Sequence, residues 1–163
     1  MKYNYLIIMP RLINNFNEGY NFPIGICYIS AVLKQAGFNV FTVNLNHVEG
    51  EVGDVVEAEI LKHDIDVVLT GGLSFQFISL QEIVDKIRFK FPNIKIVVGG
   101  GVITGCPEVA MQAFEGKVDI GVIGEGEVTI VELATALENN KRLNMIKGII
   151  YRNPEVNNGG GGV

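Results

Sequence analysis

A chain of 163 residues, 48% hydrophobic and 19% charged, has room for one packed domain and little for a second. A net charge of −5 with no run of Lys or Arg argues against a nucleic-acid or anionic membrane surface as partner. No stretch approaches the ~18 uninterrupted apolar residues that span a bilayer, and the N-terminal apolar run is too short for a signal peptide.

Cys27 and Cys106 lie far apart and outside any CxxC pair. Neither a metal-ligand spacing nor a disulfide framework is expected, and a cytoplasmic, reduced location follows as the default. Mean hydropathy is +0.30, so the body of the chain reads as packed and not disordered.

In chain order, residues 5–9 are a short apolar run stopped by Pro10, the pattern of a first buried strand. The connection over 11–22 is long, rich in Asn and without period; such connections inside compact domains are often functional. Pro23 suits the first turn of a helix in which Ile26, Ile29, Ser30 and Leu33 share a face and Gly37 caps the C-terminus. Residues 39–44 predict a second strand, and Val52, Val56 and Ile60 mark a second helix. Residues 66–72 form a third strand ending in Gly71 and Gly72. The next helix is expected to start at Ser79 as N-cap with Glu82 as capping-box partner, burying Leu80, Ile83, Val84 and Ile87.

Residues 94–98 give a fourth strand, β-branched and apolar, which breaks into Gly99, Gly100 and Gly101 before a short helix over 107–114. Residues 118–123 are a fifth strand ending in Gly124, Glu125 and Gly126. Ile130, Leu133, Ala134 and Leu137 then mark the last long helix. Five buried strands alternating with five helices predict an α/β doubly wound, five-stranded parallel sheet in three layers, with flavodoxin-like order 2-1-3-4-5. Residues 1–142 make this unit. Residues 143–152 read as an extra edge strand, and 153–163 as a flexible glycine-rich tail or linker.

Strands three, four and five all end in glycine, at the end of an α/β sheet where ligands bind. Glycine is a good turn residue, which explains any single pair. Three clusters at neighbouring strand ends predict a shelf of bare backbone for a flat or bulky ligand. Neither GxxxxGK[ST] nor a GxGxxG after the first strand is present, so both standard nucleotide cradles are missing. A receiver domain needs acidic residues at the first and third strand ends, where this chain has Met9-Pro10 and Thr70-Gly71.

Several segments together resemble the N-terminal cobalamin-binding domain of B12-dependent radical S-adenosylmethionine enzymes. They are FPIGICYISAVLKQAGFNV at 22–40, DVVLTGGLS at 66–74, VVGGG at 97–101 followed by Pro107 and Glu108, and VDIGVIGEGE at 118–127. The resemblance covers roughly 5–140 and implies a groove that takes the corrin edge and nucleotide tail. Position by position it implies cofactor contacts at Gly71, Gly72, Leu73 and Ser74, at Gly99, Gly100, Gly101 and Val102, and at Gly124, Glu125 and Gly126, with Tyr20 and Pro23 on the approach. A valine at Gly100 is expected to block corrin uptake and spare the fold.

The DxHxxG that supplies a cobalt-ligating histidine in other cobalamin domains is absent, since no His occurs between Met9 and Leu33. His47 and Gly50 have HxxG spacing after the second strand, read here as coincidence. The resemblance then implies base-off cobalamin, with Tyr20, Asn15 or Asn17 near its lower face and no protein metal ligand assigned. No catalytic residue is expected in this chain. S-adenosylmethionine and a [4Fe-4S] cluster belong, by the same resemblance, to a C-terminal radical domain absent from it, with methyl transfer or related radical chemistry as the reaction. The alternatives are a flavodoxin-like module that has lost corrin binding and serves interdomain packing, and a small flavin or nucleotide binder. His63 is expected to be solvated or capping, Glu125 and Glu127 to complement a helix start, and Cys106 to be a small buried residue.

Overall fold

The computed structural model describes residues 2–12 and 19–152. Apolar runs at strand spacing become β1 (Asn4–Met9), β2 (Asn39–Asn44), β3 (Val67–Gly71), β4 (Lys95–Gly99), β5 (Ile120–Val122) and β6 (Ile149–Tyr151). They form one sheet of order β2-β1-β3-β4-β5-β6. The first five strands pair in parallel in the predicted order, and β6 pairs antiparallel to β5. The sheet therefore has six strands where the repeating pattern predicted five. The sixth arises because the segment after the last helix climbs back to the C-terminal end of the sheet. There the Ile123 N–H donates to the Gly148 carbonyl at 2.8 Å, and the chain runs down again beside β5.

Strand side chains alternate between two faces. Tyr5, Ile7, Val67, Leu69, Val97, Ile120 and Val122 meet α1 (Ile24–Gln35) and α6 (Glu127–Glu138) through Leu33, Ile130, Leu133 and Ala134. Leu6, Ile8, Val68, Ile96 and Val98 meet the opposite layer. That layer holds α2 (Val52–His63), α3 (Phe77–Lys90), α4 (Gly101–Thr104) and α5 (Pro107–Ala113). The fold is three-layered, with helices on both faces as parallel crossovers require. No helix among the described residues is long and apolar enough to cross a membrane.

Local chemistry sets the helix ends. Gly37, at φ 88°, follows the last turn of α1; its N–H donates to Lys34 O and that of Phe38 to Leu33 O, which satisfies two terminal carbonyls. Pro23 is the residue before α1 and not in its first turn. The expected start of α3 at Ser79 is corrected: a 3₁₀ turn (Ser74–Gln76) leads into α3 at Phe77, which puts Ser79 inside the helix. The Gln76 Oε1 takes the role predicted for Glu82 by accepting from the Leu73 N–H at 2.6 Å. His63 is not merely solvated, since its ring stacks on Phe41 at 3.9 Å between centroids and lies 3.3 Å from the Glu59 Oε2. The tail over 153–163 lies outside the described residues.

Candidate cofactor site

The C-terminal ends of β3, β4 and β5 lie side by side, and glycine sits at chosen positions there. Gly71 and Gly99 are directly paired across β3 and β4. By strand alternation both belong to the face that meets α1 and α6, following Leu69 and Val97. On the other face the preceding residues, Thr70 and Val98, are 7% and 0% exposed and close the core to the strand ends. The Thr70 hydroxyl donates to the Ile8 carbonyl at 2.9 Å.

The glycines differ in what requires them. A Cβ on Gly71 would stand 2.5 Å from the Gly99 carbonyl oxygen, so the close approach of two chains demands glycine there. Gly100 has φ 83°, and a Cβ would stand 2.8 Å from the Gly72 oxygen. The expectation that valine at Gly100 spares the fold is therefore corrected: both backbone conformation and contact forbid it. Gly99 is different. Its Cβ would meet the Val122 Cβ at 3.7 Å, an ordinary contact, and its φ lies outside the left-handed range. Packing among the described residues gives no reason for glycine at 99.

Backbone hydrogen bonds join the three loops into one rim. The Val102 N–H donates to Gly72 O at 3.0 Å, the Gly72 N–H to Gly99 O at 3.3 Å, and the Gly124 N–H to the Thr104 hydroxyl at 2.9 Å. Thr104 had no signal in the sequence, because its partner sits 20 residues on. The rim is fringed by apolar side chains facing outward. Leu73 and Phe75 are 55% and 80% exposed, and Phe22, Ile24 and Ile78 are exposed as well.

Of the sequence-predicted residues, Gly71, Gly72, Leu73, Ser74, Gly99, Gly100 and Gly101 are brought together on β3 and β4. Gly124, Glu125 and Gly126 continue the rim on β5, where a Cβ on Gly126 would reach the Ile29 Cδ1 of α1 at 3.0 Å. Val102 points into the core and is 6% exposed. Glu125 is exposed, and Glu127 opens α6, where the helix dipole favours negative charge. Cys106 is exposed, correcting the expectation of burial, and Cys27 is exposed too.

Tyr20 stands apart from the glycines. It is held over the end of β2, where the Asn44 Nδ2 donates to its hydroxyl at 2.8 Å and the His47 Nε2 lies 2.7 Å from it. Asn15 and Asn17 lie outside the described residues. A depression of about 350 Å³ lies beside the rim, lined by Arg11, Leu45, Glu51, Phe75, Ser79 and Glu82 among others. It is on the α2 and α3 side, not over the glycines. Among the described residues there is no group of three or more His, Cys, Asp or Glu placed to hold a metal ion.

Fold and rim define a doubly wound, flavodoxin-like domain whose ligand-facing end is bare backbone at one switch point. The B12 binding domain family matches residues 12–134, and the chain belongs to that family. It is 30% identical over 139 residues to an anaerobic magnesium-protoporphyrin IX monomethyl ester cyclase of Synechocystis, matching 82% of this chain and 27% of that protein. An uncharacterized methyltransferase of Pyrococcus horikoshii is 27% identical over 137 residues, 80% of this chain and 28% of its own length. The chain thus spans less than a third of these curated relatives.

Among solved structures it resembles the radical S-adenosylmethionine methyltransferase TsrM of Kitasatospora setae, with cobalamin and a [4Fe-4S] cluster bound. The TM-score is 0.79 at 21% identity, over 95% of this chain and 30% of that one. The cobalamin-dependent radical enzyme OxsB, with aqua-cobalamin and S-adenosylmethionine bound, gives 0.75 at 18% identity over 94% and 21%. The receiver domain of RcsB from Escherichia coli shares the fold more distantly, with a TM-score of 0.55.

Proposed function

We propose that this domain binds a corrinoid at the C-terminal end of its sheet and presents it to a radical S-adenosylmethionine catalytic domain outside this chain. The observation that carries the reading is Gly99, a glycine that neither its backbone conformation nor its neighbours among the described residues require. A ligand lying against that backbone supplies the missing reason. Gly71, Gly72 and Gly100 shape the same surface, while Leu73 and Phe75 offer an apolar edge to a macrocycle. When bound, a corrinoid supplies cobalt-centred methyl-group or electron chemistry. The chain's own residues bind and orient it and keep water from one of its faces.

No histidine follows β1 in the spacing that ligates cobalt, so no imidazole is offered there. A nucleotide tail lying in the groove along the glycine rim would keep its own base from cobalt, and on that ground the bound form is read as base-off. S-adenosylmethionine and the [4Fe-4S] cluster belong in this reading to the partner domain, with methyl transfer or related radical chemistry as the reaction. The domain alone is expected not to turn over.

The test is a visible spectrum of the protein mixed with a tenfold excess of hydroxocobalamin and then desalted. Retained corrin bands in stoichiometric amount, at base-off positions, support the reading. A colourless protein that stays colourless in the presence of its catalytic domain refutes it and favours a packing module instead.

A further inference from the structure

Beside the glycine rim, the described residues contain a second built feature, on the opposite side of β1. Asn46 is 1% exposed. Its Oδ1 accepts from the Leu12 backbone N–H at 2.5 Å, and its Nδ2 donates to the Pro10 carbonyl at 3.0 Å. Those two backbone groups leave the Asn46 amide one orientation. The same Nδ2 donates to the Asn44 Oδ1 at 2.9 Å, as does the Asn46 backbone N–H at 3.0 Å. Asn44 is thereby fixed in turn, with its Nδ2 towards Tyr20, to whose hydroxyl it donates at 2.8 Å. The Tyr20 oxygen accepts in that bond, and the His47 Nε2 lies 2.7 Å from it, in a contact where either group can donate.

We propose that Asn44, Asn46 and His47 are positioning residues. They form a hydrogen-bond relay of fixed polarity, anchored on the backbone at the end of β1, that holds the Tyr20 ring at the approach to the corrinoid site. The proposal rests on the corrinoid reading for its ligand; the polarity of the amide links rests on the geometry, and that of the Tyr20–His47 link belongs to the proposal. Each amide in the chain has its donor and acceptor ends set by the one before it. Continued in the same sense through the Tyr20 hydroxyl, the relay makes the Nε2 of His47 an acceptor and places the imidazole proton on Nδ1. Tyr20 also lies 6.5 Å from Phe22 between ring centroids, so fixing one ring orients an aromatic pair leading into α1.

The sequence holds only two histidines, His47 and His63, so imidazole nitrogens can be assigned with one variant. The experiment is long-range ¹H–¹⁵N correlation of the imidazoles at pH 8, together with hydroxocobalamin titrations of wild type, His47→Ala, His47→Gln and Tyr20→Phe. His47 is exposed, so these changes spare the core. Expected are an Nδ1–H tautomer at His47 that is lost in Tyr20→Phe, corrinoid binding about fivefold weaker in His47→Ala, and recovery in His47→Gln, whose amide oxygen can accept. An Nε2–H tautomer, or equal affinities in wild type and His47→Ala, overturns the proposal and leaves the corrinoid reading standing. Wild type that takes up no corrinoid even with its catalytic domain overturns both, which separates the two failures.

Discussion

At the end of the sheet that carries the rim, the two faces are finished differently. On the side of α2 to α5 the core continues to the strand ends through Ile8, Thr70 and Val98, and then through Val102 and Ile103 of α4. On the side of α1 and α6 it stops one residue earlier on β3 and β4, at Leu69 and Val97, and Gly71 and Gly99 follow, while Met9 of β1 and Val122 of β5 stay buried to either side. The same period-2 alternation thus builds a sealed face and a bare one from neighbouring positions. A parallel sheet buried on both faces has no structural need for that asymmetry. Its presence at a switch point is the ground on which we propose this as the side from which a ligand approaches.

The comparison breaks first if the two faces are not equally real cores. Phe114→Ala on the sealed side is expected to cost about 3–5 kcal/mol, and Leu33→Ala on the other about 2–5 kcal/mol, in urea unfolding. A silent Leu33→Ala would mean that α1 and α6 do not complete the fold. Next comes Gly71→Val, expected to cost about 3 kcal/mol because its Cβ meets the Gly99 backbone and no side chain that can move aside. Gly99→Ala sharpens the contrast. Unfolding should change by less than about 1 kcal/mol, whereas corrinoid affinity should fall about tenfold. Equal affinity in that variant would remove the reason for reading the bare face as a ligand surface.

The smallest effect concerns Tyr5, buried under α6, whose hydroxyl donates to the Ala134 carbonyl at 3.3 Å. Burial first, and the Glu138 carboxylate second, push its phenol above the ordinary value of 10.0. The folded protein therefore keeps this proton at pH values where the unfolded chain has lost it. Stability from this group is fully present below pH 10 and declines as pH rises beyond it. Tyr5→Phe should lose about 1 kcal/mol at neutral pH and show a shallower decline above pH 10 in denaturant titrations.

The layer arrangement could be read from the sequence because β1, β3, β4 and β5 are short apolar runs stopped by glycine or proline, β2 alternates, and each long helix shows a 3.6-residue stripe. The segment over 143–152 reads as an extra edge strand, but the antiparallel direction of β6 does not show in the sequence: it depends on where residues 139–148 travel, which local pattern does not encode. The glycines were legible as a set but not one by one. Whether Gly71 or Gly99 is required by the chain itself depends on which atoms of a neighbouring strand stand nearby, and that is a property of register. The relay through Asn46 and Asn44 left no trace beyond an Asn-rich composition, because it joins the start of the β1–α1 connection to the end of β2. His47 looked accidental for the same reason.

The hydrogen bonds that join Gly72 to Val102 and Gly124 to Thr104 have one more consequence. Three loops tied to one another cannot open separately, so this side of the rim is preorganised and a ligand meets it without first ordering it. Association then loses little conformational entropy there, and affinity depends on contact more than on closure.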